Sequence, residues 1–252
     1  MRIIISPAKK MKVDTDSIPY ENLPALLHKT ENLFQMMRKM SPDELKRLWK
    51  CNDSIAALNI QRLKTMDIHH GLTPAILAYE GNQYQYMAPG VFTGEEFDYI
   101  QEHLRILSGF YGILRPFDGV IPYRLEMQSK FRVGEHKDLY AFWGRDLADS
   151  LFSESDCIID LASKEYSVCI AKYLPASVRF ITCIFGEEKD GKIFEKGTMC
   201  KMARGEMVRY MAEHKIKDPE YIKGFCHMDY CFSDKHSDLE KFVFIKKQPI
   251  VD

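Results

Sequence analysis

The segment 107–127, LSGFYGILRPFDGVIPYRLEM, constrains this chain more than any other. Gly109, Gly112, Pro116, Gly119 and Pro122 interrupt both helical and strand periodicity. The pattern therefore predicts the end of a helix followed by a long connection. Connections of this length inside a compact fold are uncommon unless they bind something or are disordered. Disorder is excluded by Phe110, Tyr111, Ile113, Leu114, Phe117, Val120, Ile121 and Tyr123, which carry too much apolar area to leave in water. Arg115 and Arg124 are thus expected on an ordered, aromatic-supported surface that forms the wall of a binding cleft.

The 252 residues, 46% of them hydrophobic, suffice for a sizeable core. No repeat, low-complexity tract or Pro/Gly/Ser linker divides them, which predicts one domain over 1–252. No run approaches the ~18 uninterrupted apolar residues of a membrane helix, so no membrane partner is expected. The opening apolar run, Ile3-Ile4-Ile5, is too short for a signal peptide. Seven cysteines without a regular framework point to a reduced, cytoplasmic chain.

A net charge of −1 argues against a generic polyanion binder, but the charge is unevenly spread. Windows 1–12, 104–132 and 196–217 carry +4, +3 and +4, leaving −12 for the remainder. If they converge in space, the protein has a positively charged cleft in an acidic body.

The β-branched run at 2–5 predicts a buried strand ending at Ser6-Pro7. Residues 22–40 read as a helix. Ser41-Pro42-Asp43-Glu44 starts a second, and Asn52 or Asp53 caps a third through Arg62, which together make a helical hairpin. Residues 74–86 read as one or two strands turned at Gly81-Asn82. The capping box Thr93-Gly94-Glu95-Glu96 opens a helix with Phe97, Ile100, Leu104 and Leu107 on one face. Helices are expected over 137–152, from Ser163 to Tyr173, and over 199–215. Strands are expected at 157–161, 178–185, 192–194, 225–232 and 239–246, with a hairpin turn at Asp190-Gly191. The fold class is mixed α/β (α+β), a central mixed sheet surrounded by helices.

Two strand ends carry chemistry. Ile3-Ile4-Ile5 runs into Ser6-Pro7-Ala8-Lys9-Lys10, and the strand at 157–161 runs into Ala162-Ser163-Lys164-Glu165-Tyr166. In open α/β sheets ligands sit beyond the carboxyl ends of strands, and a helix beginning at Ser163 presents free N–H groups to an anion. Either segment is equally an ordinary cap or solvated turn. Arg115 and Arg124 suit bidentate pairing with phosphate or carboxylate. They also suit internal ion pairs, Arg115 with Asp118 and Arg124 with Glu126. Tyr123 can stack on a ligand or support the loop. Lys201 and Arg204 share a helix face, and Gly205 beside them implies close backbone approach by another element or a ligand. Cys226, His227, Cys231 and His236 lack the paired short Cys motif of a zinc site, so no metal and no cofactor is expected. The candidate binding set is Ser6, Lys9, Lys10, Arg115, Tyr123, Arg124, Ser163, Tyr166, Lys201 and Arg204. Glu126 and Glu165 are the candidate catalytic carboxylates.

Several blocks resemble the YaaA family of bacterial peroxide-stress proteins. They are Ser6-Pro7-Ala8-Lys9, the run from Leu107 to Pro116, the run from Pro122 to Met127, Asp138-Leu139-Tyr140 with Phe142-Trp143-Gly144, and Leu161-Ala162-Ser163 with Glu165-Tyr166. The resemblance runs in the same order over the whole chain. It implies a positively charged cleft, a helix-hairpin-helix element, DNA binding, and limitation of oxidative damage and intracellular iron. It supplies no catalytic residues. The candidate hairpin at 54–62 lacks the glycines expected where a DNA phosphate meets backbone amides, and the Gly109–Gly112 turn competes for that role. The first expectation is non-specific, weak, salt-dependent DNA binding through the cleft. The alternative is an enzyme acting on a small phosphorylated or nucleobase-containing metabolite, motivated by carboxylates that a surface built for a polyanion would avoid.

Overall fold

The structure is a computed structural model that describes residues 1–247. Strand β1 (Arg2–Ile5) is buried through Ile3, Ile4 and Ile5, and a short β2 (Lys10–Met11) follows the Ser6-Pro7 break. Helix α1 (Leu27–Arg38) turns Leu33, Phe34 and Met37 inward. Helices α2 (Pro42–Trp49) and α3 (Asp53–Thr65) form the expected pair. Ser41 and Glu44 close a capping box, Lys50 takes the left-handed conformation at the turn, and Asn52 caps α3.

Residues 74–86 differ from the expected strands. Two-residue ladders, β3 (Thr73–Pro74) and β4 (Tyr79–Glu80), flank one helical turn α4 (Ala75–Ala78), and helix α5 (Asn82–Met87) follows. From Leu72 to Tyr79 every residue is buried, which leaves no periodicity to distinguish strand from helix. The same ambiguity shortens the next helix. α6 (Gly94–His103) has its Thr93 capping box but stops before Leu104, and β5 (Leu104–Ser108) is buried on both faces as an interior strand. The segment 107–127 is therefore not one long connection. It contains the end of β5, β6 (Gly112–Leu114) and β7 (Gly119–Val120), with the chain irregular from Ile121 to Met127.

The helix expected over 137–152 is two, α7 (Leu139–Trp143) and α8 (Asp146–Glu154), because Gly144 adopts φ 53° at the break. β8 (Cys157–Leu161) and α9 (Lys164–Ala171) follow. β9 (Arg179–Lys189) and β10 (Lys192–Phe194) make the hairpin at Asp190-Gly191, both with positive φ. Helix α10 (Gly197–Glu213) precedes β11 (Cys226–His227), β12 (Tyr230–Phe232) and β13 (Lys241–Lys246).

The main sheet runs β11-β12-β13-β9-β8-β1-β5-β6, with β10 attached to β9. β5, β1, β8, β9 and β13 are mutually parallel, and antiparallel strands finish both edges. β1 and β8 are neighbours whose chains leave in opposite directions, β1 toward β5 and β8 toward β9. That junction is the topological switch point where an open α/β sheet leaves a crevice. One contiguous apolar cluster spans the chain from Ile3 to Phe244. Among the described residues, no helix is long and apolar enough to cross a membrane.

Candidate functional site

Beyond the carboxyl ends of β1 and β8 lies a cavity of about 360 Å³. Its floor joins the two strand ends directly: the Ser163 N–H donates to Ser6 Oγ at 2.7 Å, and Ser6 Oγ donates to Ser163 Oγ at 3.1 Å. Ser163 stands at the N-cap of α9, but its hydroxyl turns to Ser6 and does not cap the helix. Helix α5 straps both ends. Tyr84 donates its hydroxyl proton to the Ser6 carbonyl at 3.0 Å, and Gln83 Nε2 donates to the Leu161 carbonyl at 3.4 Å.

Helix α10 closes a second wall. It crosses α5 at Gly205, where a Cβ would stand 2.0 Å from the Gln83 carbonyl oxygen. Only glycine permits that approach, and it brings Lys201 and Arg204 to the cavity. The close approach foreseen at Gly205 is thus to another helix. The third wall is the irregular stretch carrying Tyr123, Arg124 and Glu126. It rests on Gly109, where a Cβ would meet the Leu125 carbonyl oxygen at 2.5 Å. Beneath it the Tyr123 hydroxyl pairs with Ser108 Oγ at 2.6 Å and with the Tyr79 hydroxyl at 2.8 Å, and its ring stacks on Phe110. Tyr123 is buried and touches the cavity by an edge while serving the core. Burial pushes its hydroxyl up to about 12.

Ser6, Lys9, Lys10, Tyr123, Arg124, Glu126, Ser163, Glu165, Tyr166, Lys201 and Arg204 all line this one space, although they come from four distant stretches of chain. Arg115 does not. It stands at the end of β6 facing Glu154 at 3.8 Å, half exposed, in a separate recess with Arg105 and Asp118. The strand reversal at Gly112, φ 78°, sends Arg115 away from the loop that carries Arg124. The Arg115–Asp118 pairing is through the Arg115 backbone N–H, 2.8 Å from the Asp118 carboxylate. Glu80, Gln83, Tyr84 and Thr198 also line the cavity and had no sequence signal of their own. The turn-forming Gly81-Asn82 pair was the nearest pointer, and reading its surroundings as strand hid the helix.

Five cationic side chains face three carboxylates here. Lys9 Nζ lies 2.8 Å from Glu126 Oε2, Arg124 lies 3.3 Å from Glu126 Oε1, and Lys10 pairs with Glu80 at 3.1 Å. The guanidinium groups are incompletely used. Arg124 and Arg204 are only 11% and 14% exposed, and the Nε of each is buried with no hydrogen-bond partner. Arg204 reaches Glu195 only at 3.5 Å. A buried donor left unsatisfied costs about 1–3 kcal/mol, and because each Nε is sealed from the cavity it is the terminal nitrogens that an anionic ligand would meet.

Glu165 accepts from the Gln128 N–H at 3.1 Å. Burial raises its carboxyl above the ordinary range, against that N–H, with Glu126 adding and Lys9 opposing. Behind the wall, Asp160 is fully enclosed. It accepts from Ser167 Oγ at 2.5 Å and the Ala162 N–H at 2.9 Å, and burial pushes it up to about 6.

The four residues weighed against zinc are not a metal set. Cys226 and Cys231 are joined by a disulfide, His227 pairs with Glu206 at 3.2 Å and His236 with Glu188 at 3.4 Å. Among the described residues, no group of three or more His, Cys, Asp and Glu is arranged to hold a metal ion.

The family described as peroxide stress protein YaaA matches residues 1–236. A UPF0246 protein of Lachnoclostridium phytofermentans is 52% identical over 246 residues, covering 98% of this chain and 96% of its own. One from Agathobacter rectalis is 52% identical over 247 residues, covering 98% and 99%. One from Pediococcus pentosaceus is 48% identical over 248 residues, again covering 98% and 99%.

Proposed function

Because the chain belongs to the family of peroxide stress protein YaaA, we propose that it serves that response by binding a small anionic ligand in the cavity between β1, β8, α5 and α10. The ligand carries a phosphate or carboxylate. The observation that carries this reading is the pair of largely buried guanidinium groups, Arg124 and Arg204, that line one recess with a single long carboxylate contact each. Arg presents a fork of donors suited to such anions. The volume, about 360 Å³, falls in the range of small-molecule sites, roughly 300–1,000 Å³.

DNA binding, implied by the family resemblance, draws support from Lys9 and Lys10, which stand exposed at the rim. A duplex presents about one charge per 1.7 Å and calls for cations strung along an open surface. Here the cations converge on a recess of about 360 Å³, and Glu80 and Glu126 already pair with Lys10, Lys9 and Arg124, which leaves few cations to string along a duplex. That composition favours the small ligand over the polymer. Limitation of intracellular iron, also implied by the resemblance, would then act through the ligand and not through storage in this chain. If the ligand is transformed, Glu165 is the group suited to move a proton, since its raised carboxyl titrates nearer neutrality than an ordinary glutamate.

The test is a thermal-shift panel of nucleotides, sugar phosphates, inorganic phosphate and di- and tricarboxylates, run beside duplex and single-stranded oligonucleotides at several salt concentrations. A small anion should raise Tm, and more strongly as pH falls and Glu165 loses its charge. Arg124→Ala and Arg204→Ala should abolish the shift. A panel without effect, beside oligonucleotide binding that weakens with salt by a slope near −0.9 per phosphate, would replace this reading with the polymer one.

A further inference from the structure

Six of the seven cysteines fall into two populations, with the partly buried Cys51 outside both. Cys169, Cys183 and Cys200 are buried, and burial raises each thiol well above its ordinary value. Cys157 is half-buried and likewise raised. Such thiols are poor nucleophiles, since the thiolate is the reactive form. Cys226 and Cys231 stand apart. They occupy opposed register positions on β11 and β12, with Cα atoms 4.4 Å apart, at the outer edge of the sheet. Cys226 is exposed and Cys231 partly so. The tight turn between the strands, Met228 and Asp229 both with positive φ, fixes the two side chains side by side independently of any bond between them.

A disulfide that serves as a scaffold closes a large loop or belongs to a dense framework. This one spans five residues of a hairpin already held by its own ladder, in a chain whose other five cysteines are free. Covalent closure therefore adds little to the fold, and the pair is open to solvent-borne oxidants.

We propose that Cys226 and Cys231 are a reversible oxidation site for hydrogen peroxide. The Cys226 thiolate attacks one oxygen of the peroxide, the O–O bond breaks, and the departing hydroxide takes a proton to become water. This leaves a sulfenic acid on Cys226. The Cys231 thiolate then attacks that sulfur, the S–S bond forms, the S–O bond breaks, and a second water departs with a proton. Two thiols have been oxidised by two electrons and one peroxide reduced to two waters. An external dithiol reverses the change. The site is separate from the cavity and does not depend on the ligand proposed there.

The experiment uses the full chain, reduced and freed of reductant under nitrogen, then exposed to graded hydrogen peroxide. Differential alkylation and mass spectrometry locate the thiols. Cys226 and Cys231 should be lost together, at a peroxide dose at least about tenfold below that which oxidises Cys51, and dithiothreitol should restore both in the folded protein. In Cys231→Ser, a dione probe should trap a sulfenic acid on Cys226. Oxidation of Cys51 or Cys157 at the same dose, a Cys226–Cys231 pair that remains reduced, or a disulfide that resists dithiothreitol until the chain unfolds would each overturn the proposal. The intact-chain measurements stand alone if Cys231→Ser does not fold.

Discussion

Two clusters of arginine and carboxylate sit at opposite ends of the same parallel strands. At the amino ends, Arg2, Arg105 and Arg115 gather on Glu154. Arg105 leaves no nitrogen without a partner: Nε and a terminal nitrogen reach Glu154 at 2.8 and 2.7 Å, and the other reaches the Gln101 and Leu104 carbonyls at 3.1 and 2.6 Å. At the carboxyl ends, Arg124 and Arg204 each make one long contact and leave Nε orphaned. The residue types are alike, and the difference is satisfaction. A saturated guanidinium is a structural tie, whereas one with few partners beside a cavity is the kind the proposed ligand would meet.

The sharpest way to break that contrast is Glu154→Gln. Removing the charge leaves buried Arg105 uncompensated, so stability should fall by about 4 kcal/mol in denaturant titration while ligand affinity at the far end persists. An equal loss of both would erase the distinction between the ends.

Each end also holds one buried acid pushed up to about 6, Asp118 at one and Asp160 at the other. The folded state holds the Asp160 proton more tightly than the unfolded chain. Its contribution is thus fully present below about pH 4 and is lost as pH rises through about 6, a change of up to about 3 kcal/mol. Asp160→Asn should flatten that part of the stability–pH curve, leaving the Asp118 share. An unchanged curve would mean Asp160 is ionised in the fold.

Gly205→Ala tests whether the cavity depends on the crossing of α5 and α10. The added methyl meets the Gln83 carbonyl, so about 2 kcal/mol should be lost and ligand binding should weaken as Arg204 shifts. Smallest in stability is Arg204→Ala, within about 1 kcal/mol or even stabilising, with at least a tenfold loss of anion affinity. If its stability cost matched that of Glu154→Gln, Arg204 would be a tie and not a binding group.

Much of the cavity's lining was legible in the sequence, because strand ends announce themselves. The run Ile3-Ile4-Ile5 stopping at Ser6-Pro7, and Ile158-Ile159 stopping at Ser163, both mark carboxyl ends in a parallel sheet. Caps at Ser41 and Thr93 were equally plain, since each side-chain oxygen has a local backbone partner, while Asn52 and Asp53 competed for the third and Asn52 holds it. Arg115 and Arg124 could not be separated. They flank the same aromatic segment, and only the reversal at Gly112 sends them to opposite ends of the strands. Helix α5 was illegible for a related reason. Its role is set by what covers it, and Gln83 and Tyr84 acquire their purpose from strand ends about 78 residues away in each direction.

Because the cavity draws on stretches near residues 6, 80, 124, 165 and 204, no short fragment of the chain can contain it. Its closure demands contacts of high sequence separation, which form late in folding. Any molecule that occupies it therefore selects the finished protein over every partly folded form. Its concentration in the cell sets how much of the chain survives proteolysis, by RT ln(1 + [L]/Kd). Abundance of this protein would then follow abundance of its ligand with no change in transcription.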